Sequence, residues 1–260
     1  MELNKIYNID NVQGMRQMDA ESVDLVVTSP PYDNLRNYNG FSFDFENVAK
    51  ELFRIVKMGG VVVWIVSDAT INGSETGTSF KQALYFMQCG FNLHDTMIWC
   101  KDGGGAVGSN LCYTQNFEYM FVFSKGKPKS VNLIYDKPCQ TYTGVAKTVR
   151  ESRGGNDKGD RGMTTFMRRE MSRRNNWWYL CPQAQDGTGW HPAVFPEKLV
   201  CDHILSWSNE GDVVLDPFMG SGTTAKVARA LGRKYIGFEI SKEYCDLANK
   251  RLQDTKTLFD

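Results

Sequence analysis

The sequence lacks the features of a membrane-spanning, secreted or metal-stabilised protein. Its longest apolar run, residues 61–66, has the length of a strand and falls far short of the roughly 20 residues that a spanning helix needs. Its first residues do not have the basic-then-apolar layout of a signal peptide. The seven cysteines include no Cys-x-x-Cys pair, and the three histidines are not at metal-ligand spacing. We therefore expect a cytoplasmic protein with reduced thiols, no membrane contact and no bound metal.

The net charge is zero, but the charges are unevenly distributed. With 42% hydrophobic and 23% charged residues, the 260-residue chain has the composition of one large globular domain, or of one domain with an inserted piece. Between residues 125 and 190 there are 13 lysines and arginines against 6 acidic residues, so the rest of the chain is acidic. This asymmetry is typical of a protein that meets a polyanion with one of its parts. The alternative is a solvated insertion whose charges only keep it soluble.

Apolar runs alternate with amphipathic segments over most of the chain, which predicts an α/β fold with a mostly parallel sheet. The run at residues 61–66 is apolar without alternation, as in a strand covered on both faces. A helix over residues 44–57 is expected to end at Gly59-Gly60 as a C-cap pair. This alternation of strand and helix patterns stops near residue 125 and resumes near residue 190. We therefore predict an α/β domain made of residues 1–124 and 190–260, with residues 125–189 inserted between its halves.

Toward its end the inserted region contains an aromatic cluster, Trp177-Trp178-Tyr179, in which the role of the two tryptophans is open. The preferred interpretation is that both are stacked core aromatics. Contact with unstacked nucleobases is the alternative.

A rigid turn follows the apolar run at residues 23–27. It reads Thr28-Ser29-Pro30-Pro31-Tyr32, and its two prolines end the strand because neither can donate to a sheet ladder. The turn holds a hydroxyl, a carbonyl and an aromatic ring in one arrangement. This arrangement suits a site that grips a flat ring carrying an amino group. An ordinary exit from a strand into a loop is the alternative.

A second turn follows the apolar run at residues 213–215. It reads Asp216-Pro217-Phe218-Met219-Gly220-Ser221-Gly222-Thr223-Thr224 and opens a helix, and Glu239 comes at the end of the next strand. Glycines let a backbone approach a ligand closely, helix N-termini favour anionic groups, and an acid in this position accepts ribose hydroxyls. The spacing predicts a nucleoside-bearing ligand and leaves open nicotinamide dinucleotide and S-adenosylmethionine. A P-loop is not expected, because no Gly-Lys-[Ser/Thr] is present.

Together the two turns resemble the DNA amino-methyltransferases, which transfer a methyl group from S-adenosylmethionine to adenine N6 or cytosine N4. Residues 28–32 are similar to the catalytic motif of that family, and residues 216–222 to its cofactor motif. Because the catalytic motif comes first and a basic stretch lies between the two, the order resembles the permuted β group. Further matches at residues 98–101, 116–119 and 191–196 extend the resemblance over nearly the whole chain except residues 125–175.

The resemblance implies a Rossmann-like fold, S-adenosylmethionine as cofactor, double-stranded DNA as partner and a target-recognition region within residues 125–189. It implies a site-specific enzyme of the restriction-modification type that acts on a flipped-out base. The implied catalytic residues are Ser29, Pro30, Pro31 and Tyr32. The implied cofactor-binding residues are Asp10, Asp216, Phe218, Gly220, Ser221, Gly222, Thr223, Thr224 and Glu239. The DNA-binding candidates are Arg36, Arg168, Arg169, Arg173 and Arg174.

Several alternatives stay open at this point. Asp10 either accepts from the adenine amine of the cofactor or only caps a helix. The target base is cytosine N4 or adenine N6, and a homodimer is compatible with the sequence. RNA or a protein glutamine is the alternative substrate of the same chemistry. A nicotinamide-dependent oxidoreductase is a further alternative, although no histidine lies near either motif.

Overall fold

The computed structural model describes residues 1–31, 43–101, 113–139, 145–149, 163–167, 170–181 and 196–253. The chain forms two compact units, one made of residues 1–132 and 176–260 and the other of residues 133–175. The first unit contains the predicted catalytic and cofactor motifs.

The described residues contain six helices and fourteen strands. The helices are α1 (Asn11–Arg16), α2 (Phe45–Ile55), α3 (Thr78–Gln88), α4 (Glu197–Trp207), α5 (Thr223–Ala230) and α6 (Lys242–Gln253). The strands are β1 (Lys5–Asn8), β2 (Val23–Thr28), β3 (Val56–Val66), β4 (Thr70–Ile71), β5 (Ser74–Glu75), β6 (Asn92–Cys100), β7 (Phe117–Ser124), β8 (Lys137–Pro138), β9 (Val145–Val149), β10 (Met163–Met167), β11 (Met171–Ser172), β12 (Trp177–Tyr179), β13 (Val213–Asp216) and β14 (Lys234–Glu239).

Eight strands of the first unit form one sheet in the order β1-β14-β13-β2-β3-β7-β6-β12. Neighbouring strands run parallel, except that β7 is antiparallel to both β3 and β6. The predicted Rossmann-like, mostly parallel α/β sheet is confirmed.

The sheet has a topological switch point between β13 and β2. From β13 the chain passes through α5 to β14 on one side, whereas from β2 it passes through α2 to β3 on the other. Crossovers that depart in opposite directions leave a crevice at the carboxyl ends of the two strands, where open α/β sheets bind their ligands. Thr28 and Asp216 end these two strands.

The core forms around β2 and β3, as continuous apolarity predicts. Leu25, Val27 and Val62 are fully buried in the two strands, and Leu52 of α2 is buried against them. Trp64 of β3 is also fully buried, and its indole Nε1 donates to Oε1 of Gln82 in α3 at 2.8 Å. This bond satisfies the one polar atom of the Trp64 side chain, so the residue packs like an apolar one.

The prediction that Gly59-Gly60 caps helix α2 is wrong. The helix ends at Ile55, Val56 is already extended, and both glycines lie inside β3. Gly59 has a φ of +83°, and the register of β2 against β3 shifts at this point. A Cβ on Gly60 would lie 3.0 Å from the carbonyl oxygen of Asp24. The glycines therefore permit an irregularity in strand pairing. A Gly-Gly pair in the sequence does not distinguish such an irregularity from a helix end.

The second unit contains two antiparallel pairs, β8 with β11 and β9 with β10. Within it, Nε of Arg174 donates to Oδ2 of Asp136 at 2.9 Å. The predicted inserted region extends further at both ends than this unit, because residues 125–132 and β12 belong to the first unit.

The two tryptophans of β12 differ from one another. Trp178 is buried, and its ring centroid lies 4.5 Å from that of His203 in α4. Trp177 is 51% exposed. The prediction of core aromatics is therefore correct for Trp178 and wrong for Trp177, because successive side chains of a strand point to opposite faces of the sheet.

Each helix within the described ranges is too short or too polar to cross a bilayer.

The packing of α1 on β14 gives a first prediction. A Cβ on Gly14 would lie 2.6 Å from two ring carbons of Phe238, which is fully buried. Overpacking costs about 1–3 kcal/mol, more than the gain of up to about 1 kcal/mol from removing a helical glycine. We expect Gly14→Ala to lower the free energy of unfolding by about 1 kcal/mol or more in urea titrations.

The matched control is Gln13→Ala, because Gln13 is an exposed neighbour in the same helix. It should change stability by less than about 0.5 kcal/mol. A Gly14→Ala protein as stable as the unmodified one would contradict the packing described for Phe238.

Candidate active site

The two predicted motifs meet at the switch point. Strand β13 pairs directly with β2, with Val214 opposite Leu25 and Leu215 opposite Val26. At the ends of these strands, Oγ1 of Thr28 donates to Oδ1 of Asp216 at 2.6 Å. Ser29 follows Thr28 directly, so the proline turn and the glycine turn begin at adjacent points of the same sheet edge.

The proline turn is anchored in the core and opens toward the edge. Thr28 is fully buried and Pro30 is buried, whereas Ser29 and Pro31 are partly exposed. Since each proline fixes its own φ and restricts the residue before it, the backbone of Ser29 and the Pro30 carbonyl have little freedom relative to β2. Tyr32, the remaining residue of the predicted catalytic motif, lies outside the described residues.

The glycine turn contains two residues in the left-handed region, Gly220 with a φ of +52° and Gly222 with a φ of +86°. A Cβ on Gly222 would lie 2.8 Å from Cβ of Ala248 in α6, so any larger residue would displace that helix. Gly222 is also the N-cap residue of α5, and no side chain caps this helix. Its first N–H groups suit an anionic ligand, since helix N-termini leave donors unsatisfied and carry positive potential.

Phe218 lies at the start of the glycine turn, beside aromatic residues of the core. Its ring centroid is 5.3 Å from that of Phe43 and 6.2 Å from that of Trp64. The predicted cofactor-binding residues Ser221, Thr223 and Thr224 are all buried. The turn is therefore packed on its inner side against the sheet and the aromatic residues.

Glu239 is held in place by backbone donors. Its Oε2 accepts from the N–H of Gly220 and its Oε1 from the N–H of Ser241, both at 2.8 Å. Burial raises the pKa of Glu239, while these backbone hydrogen bonds act in the opposite direction. Each carboxylate oxygen keeps lone-pair capacity for a further donor, as contact with two ribose hydroxyls requires.

Asp10 begins helix α1 and is partly exposed. Its Oδ1 accepts from the N–H of Gln13 at 3.0 Å, so it is the side-chain N-cap of that helix. The helix-cap interpretation is confirmed, and an additional contact with an adenine amine stays a prediction. Strand β1, which precedes Asp10, pairs with β14 so that Asn8 lies opposite Glu239.

Asp216 is 2% exposed and accepts three hydrogen bonds. Its Oδ1 accepts from Thr28 Oγ1 and from the N–H of Phe218, at 2.6 and 3.0 Å, and its Oδ2 accepts from Thr224 Oγ1 at 2.7 Å. Burial and, to a smaller extent, the negative charge of Glu239 raise the pKa of Asp216 from 3.8 to about 6, against the lowering effect of these donors.

Two supporting residues were not anticipated from the sequence. The sequence gives Thr28 no role beyond its place in the motif and no indication of a role for Arg251. Nη1 of Arg251 in α6 donates to the carbonyl and to Oγ of Ser221, at 2.8 and 2.7 Å. Glu197 of α4 pairs with Lys226 at 2.6 Å and with Arg251 at 3.6 Å. The amphipathic pattern over residues 242–253 predicts the helix that contains Arg251, but only the packing of that helix brings Arg251 to Ser221.

The DNA-binding candidates are only partly described. Arg173 is exposed, and Arg174 is partly buried and paired with Asp136. Arg36, Arg168 and Arg169 lie outside the described residues. Over the described ranges, no group of three His, Cys, Asp or Glu side chains is arranged to hold a metal ion.

A parallel sheet with its switch point at two glycine- and proline-containing turns, and an acid at the end of the next strand, defines a Rossmann-like protein with a nucleoside-cofactor site. Comparison with known proteins gives the family. The model of the DNA methylase family matches residues 23–250, and the chain belongs to that family. The predicted class, an S-adenosylmethionine-dependent DNA amino-methyltransferase, is confirmed.

Individual relatives agree with this assignment. The chain is 56% identical over 238 residues to the orphan methyltransferase M.BamHII of Bacillus amyloliquefaciens, covering 90% of this chain and 89% of the relative. It is 29% identical over 275 residues to the DNA adenine methyltransferase YhdJ of Escherichia coli K12, covering 96% and 83%. Among solved structures, the Thermus thermophilus protein TTHA0409 in complex with S-adenosyl-L-methionine is 26% identical with a TM-score of 0.64, covering 95% of this chain and 92% of that one.

The raised pKa of Asp216 gives a second prediction. When a carboxyl has a higher pKa in the folded than in the unfolded state, the protein loses stability as the pH rises through the interval between the two pKa values. The difference between 3.8 and about 6 corresponds to about 3 kcal/mol at pH 7. We expect Asp216→Asn to be more stable than the unmodified protein at pH 7, by up to about 3 kcal/mol.

Urea unfolding of both proteins at pH 7 and pH 4 measures this effect. The advantage of Asp216→Asn should shrink at pH 4, where the carboxyl of Asp216 is protonated. An equal difference at both pH values would show that the buried charge is not its cause.

Proposed function

We propose that this enzyme methylates the exocyclic amine of a base in double-stranded DNA, with the proline turn holding the amine and the glycine turn holding the cofactor. The observation that carries this proposal is the hydrogen bond between Thr28 and Asp216, which joins the two turns at one sheet edge. The names of the relatives support the substrate, since M.BamHII is a methyltransferase and YhdJ a DNA adenine methyltransferase.

The residues of the glycine turn fit S-adenosylmethionine. Glu239 accepts from the ribose hydroxyls, with its orientation set by the N–H groups of Gly220 and Ser241. The backbone of Gly220, Ser221 and Gly222 would hold the methionyl part of the cofactor. Helix α5 begins with Thr223 and Thr224 and has no side-chain cap. Its free N–H groups therefore favour binding of the methionyl carboxylate of the cofactor.

Three further side chains complete the cofactor site. Phe218 provides an apolar wall, and its own N–H is fixed by Asp216. The negative charge of Asp216 favours the methionyl ammonium group. The second carboxylate oxygen of Asp10 accepts from the adenine amine.

The proline turn activates the base amine by orienting it. The lone pair of such an amine is delocalised into the ring, which makes the amine a poor nucleophile. The Ser29 hydroxyl oxygen and the Pro30 carbonyl oxygen accept the two amine hydrogens and draw the nitrogen toward a tetrahedral shape. When bound, S-adenosylmethionine supplies a methyl group on a sulfonium sulfur. Transfer would form the nitrogen–carbon bond as the carbon–sulfur bond breaks, leaving a neutral thioether, and the nitrogen would then lose one proton to solvent. With no covalent intermediate on the enzyme, positioning by these residues would provide most of the rate enhancement.

A base within a duplex cannot reach this pocket, so the enzyme turns it out of the stack at a cost of a few kcal/mol. Tyr32 stacks on the extruded ring. The basic residues 125–189 hold the DNA, with Arg36, Arg168, Arg169, Arg173 and Arg174 as candidates for phosphate or base contacts. Arg174 is paired with the exposed carboxylate of Asp136, and a phosphate of the DNA would take the place of that carboxylate.

A transfer assay tests the function itself. The purified enzyme is incubated with S-adenosylmethionine labelled in the methyl group and with duplex DNA of mixed sequence. We expect label in the DNA, and mass analysis of the digested nucleosides should give N4-methylcytosine or N6-methyladenine. Label that enters RNA or protein instead of DNA would refute the proposed substrate.

Ser29→Ala tests the role of the proline turn. Loss of one acceptor for the amine should lower kcat about 10- to 100-fold, because a hydrogen bond in the transition state is worth a few kcal/mol. The Kd for S-adenosylmethionine from calorimetry should change less than about threefold, a difference of under 1 kcal/mol. Ser74→Ala, in the exposed β4–β5 hairpin, is the matched control. Equal losses in kcat and in cofactor affinity would contradict the assigned role.

A further inference from the structure

Three side chains form a buried bridge between the two turns, which we call the carboxylate bridge: Thr28, Asp216 and Thr224. The Asp216 carboxylate lies in the middle, with Thr28 Oγ1 on one oxygen at 2.6 Å and Thr224 Oγ1 on the other at 2.7 Å. Thr224 Oγ1 also lies 3.4 Å from the carbonyl oxygen of Val27 in β2. The bridge therefore links the last residues of β2 to β13 and to the first turn of α5.

The bridge is a poor way to stabilise a fold. All three side chains are at most 2% exposed. Burying a carboxylate without a cationic partner costs more than the hydroxyl and amide donors return, and apolar side chains of similar volume would pack here at lower cost. A buried group that lowers stability beside a ligand site indicates a function at that site.

The geometry points to a specific function. Thr28 is the residue before Ser29, so the direction in which the chain leaves β2 sets where the Ser29 hydroxyl and the Pro30 carbonyl lie. The same Asp216 oxygen that accepts from Thr28 also accepts from the N–H of Phe218, which begins the glycine turn. One atom thus fixes the start of both turns.

We propose that Thr28 is a positioning residue, which holds the Ser29 and Pro30 acceptors at a set distance from the cofactor turn through its bond to Asp216. The inference rests on the proposed placement of the base amine at Ser29 and Pro30. Thr28 is fully buried, so its hydroxyl would act on the site through Asp216 and not by direct contact with the amine. In-line transfer needs the reacting atoms about 3–3.5 Å apart, and a misplacement of about 1 Å can cost 100-fold in rate. Without the bond to Asp216, the proline turn would keep both acceptors, but kcat would fall because they would be misplaced.

The test compares Thr28→Val, which keeps the shape and removes the hydroxyl, with Thr28→Ser, which keeps the hydroxyl. We expect Thr28→Val to lower kcat about 10- to 100-fold at saturating cofactor and DNA. Its Kd for S-adenosylmethionine should change less than about threefold. Thr28→Ser should restore most of the rate. Thr96→Val, an exposed position in β6 of the same sheet, is the matched control and should match the unmodified enzyme.

The pH dependence of kcat distinguishes positioning through Asp216 from a merely structural role. The groups that face this carboxylate are the hydroxyls of Thr28 and Thr224, the N–H of Phe218 and, through its charge, Glu239. Because the Thr28 hydroxyl lowers the pKa of Asp216, its removal raises that pKa. The positioning role needs the ionised carboxylate, so kcat should fall as the pH drops through the pKa of Asp216. This acid limb of the profile should move to higher pH in Thr28→Val and stay in place in Thr28→Ser.

If Thr28→Val does not fold, Asp216→Asn serves instead, since the loss of a buried charge favours folding. It should be folded, bind the cofactor more weakly because it lacks the carboxylate charge, turn over slowly even at saturating cofactor, and lack the acid limb. Wild-type kcat and an unchanged pH profile in Thr28→Val, with Ser29→Ala impaired, would overturn the positioning role alone. An unmodified enzyme that transfers no label to DNA would instead overturn the proposed function.

Discussion

The active-site edge depends on one hydrogen bond between neighbouring strands. Thr28 at the end of β2 donates to Asp216 at the end of β13, although 188 residues separate the two in the chain. Parallel pairing of β2 with β13 brings their carboxyl ends to the same edge, and opposite crossovers leave that edge open. A proline turn on one strand and a glycine turn on the other then share a single crevice. Every role proposed for the site assumes this adjacency.

The site keeps two acidic groups in positions that oppose folding. Asp216 and Glu239 are both buried, and burial raises the pKa of each. Neither is paired in the structure with a lysine or arginine at salt-bridge distance among the described residues. Hydroxyl and backbone N–H donors hold them in place, so the carboxylates are oriented without being neutralised. Such groups are suited to a ligand that brings its own positive charge and hydroxyls, as S-adenosylmethionine does.

Rigidity around the cofactor turn comes from the helices behind it. Arg251 of α6 holds the Ser221 carbonyl, and Glu197 of α4 pairs with both Arg251 and Lys226 of α5. Gly222 packs so closely on Ala248 that a side chain there would displace α6. Three helices thus restrain one loop, whose backbone would lie against the cofactor. Preorganisation of this kind lowers the entropy that binding must remove.

The sequence by itself determined the sheet class, the two motifs and the acid at the end of β14, because apolar periodicity, proline and glycine act over a few residues. It did not reveal that Gly59 and Gly60 lie within a strand or that Trp177 is exposed, since both depend on which strand pairs with which. Only the tertiary structure placed Thr28 on Asp216 and Arg251 on Ser221. Contacts between distant residues leave no local pattern, because they form only when separate elements pack against each other.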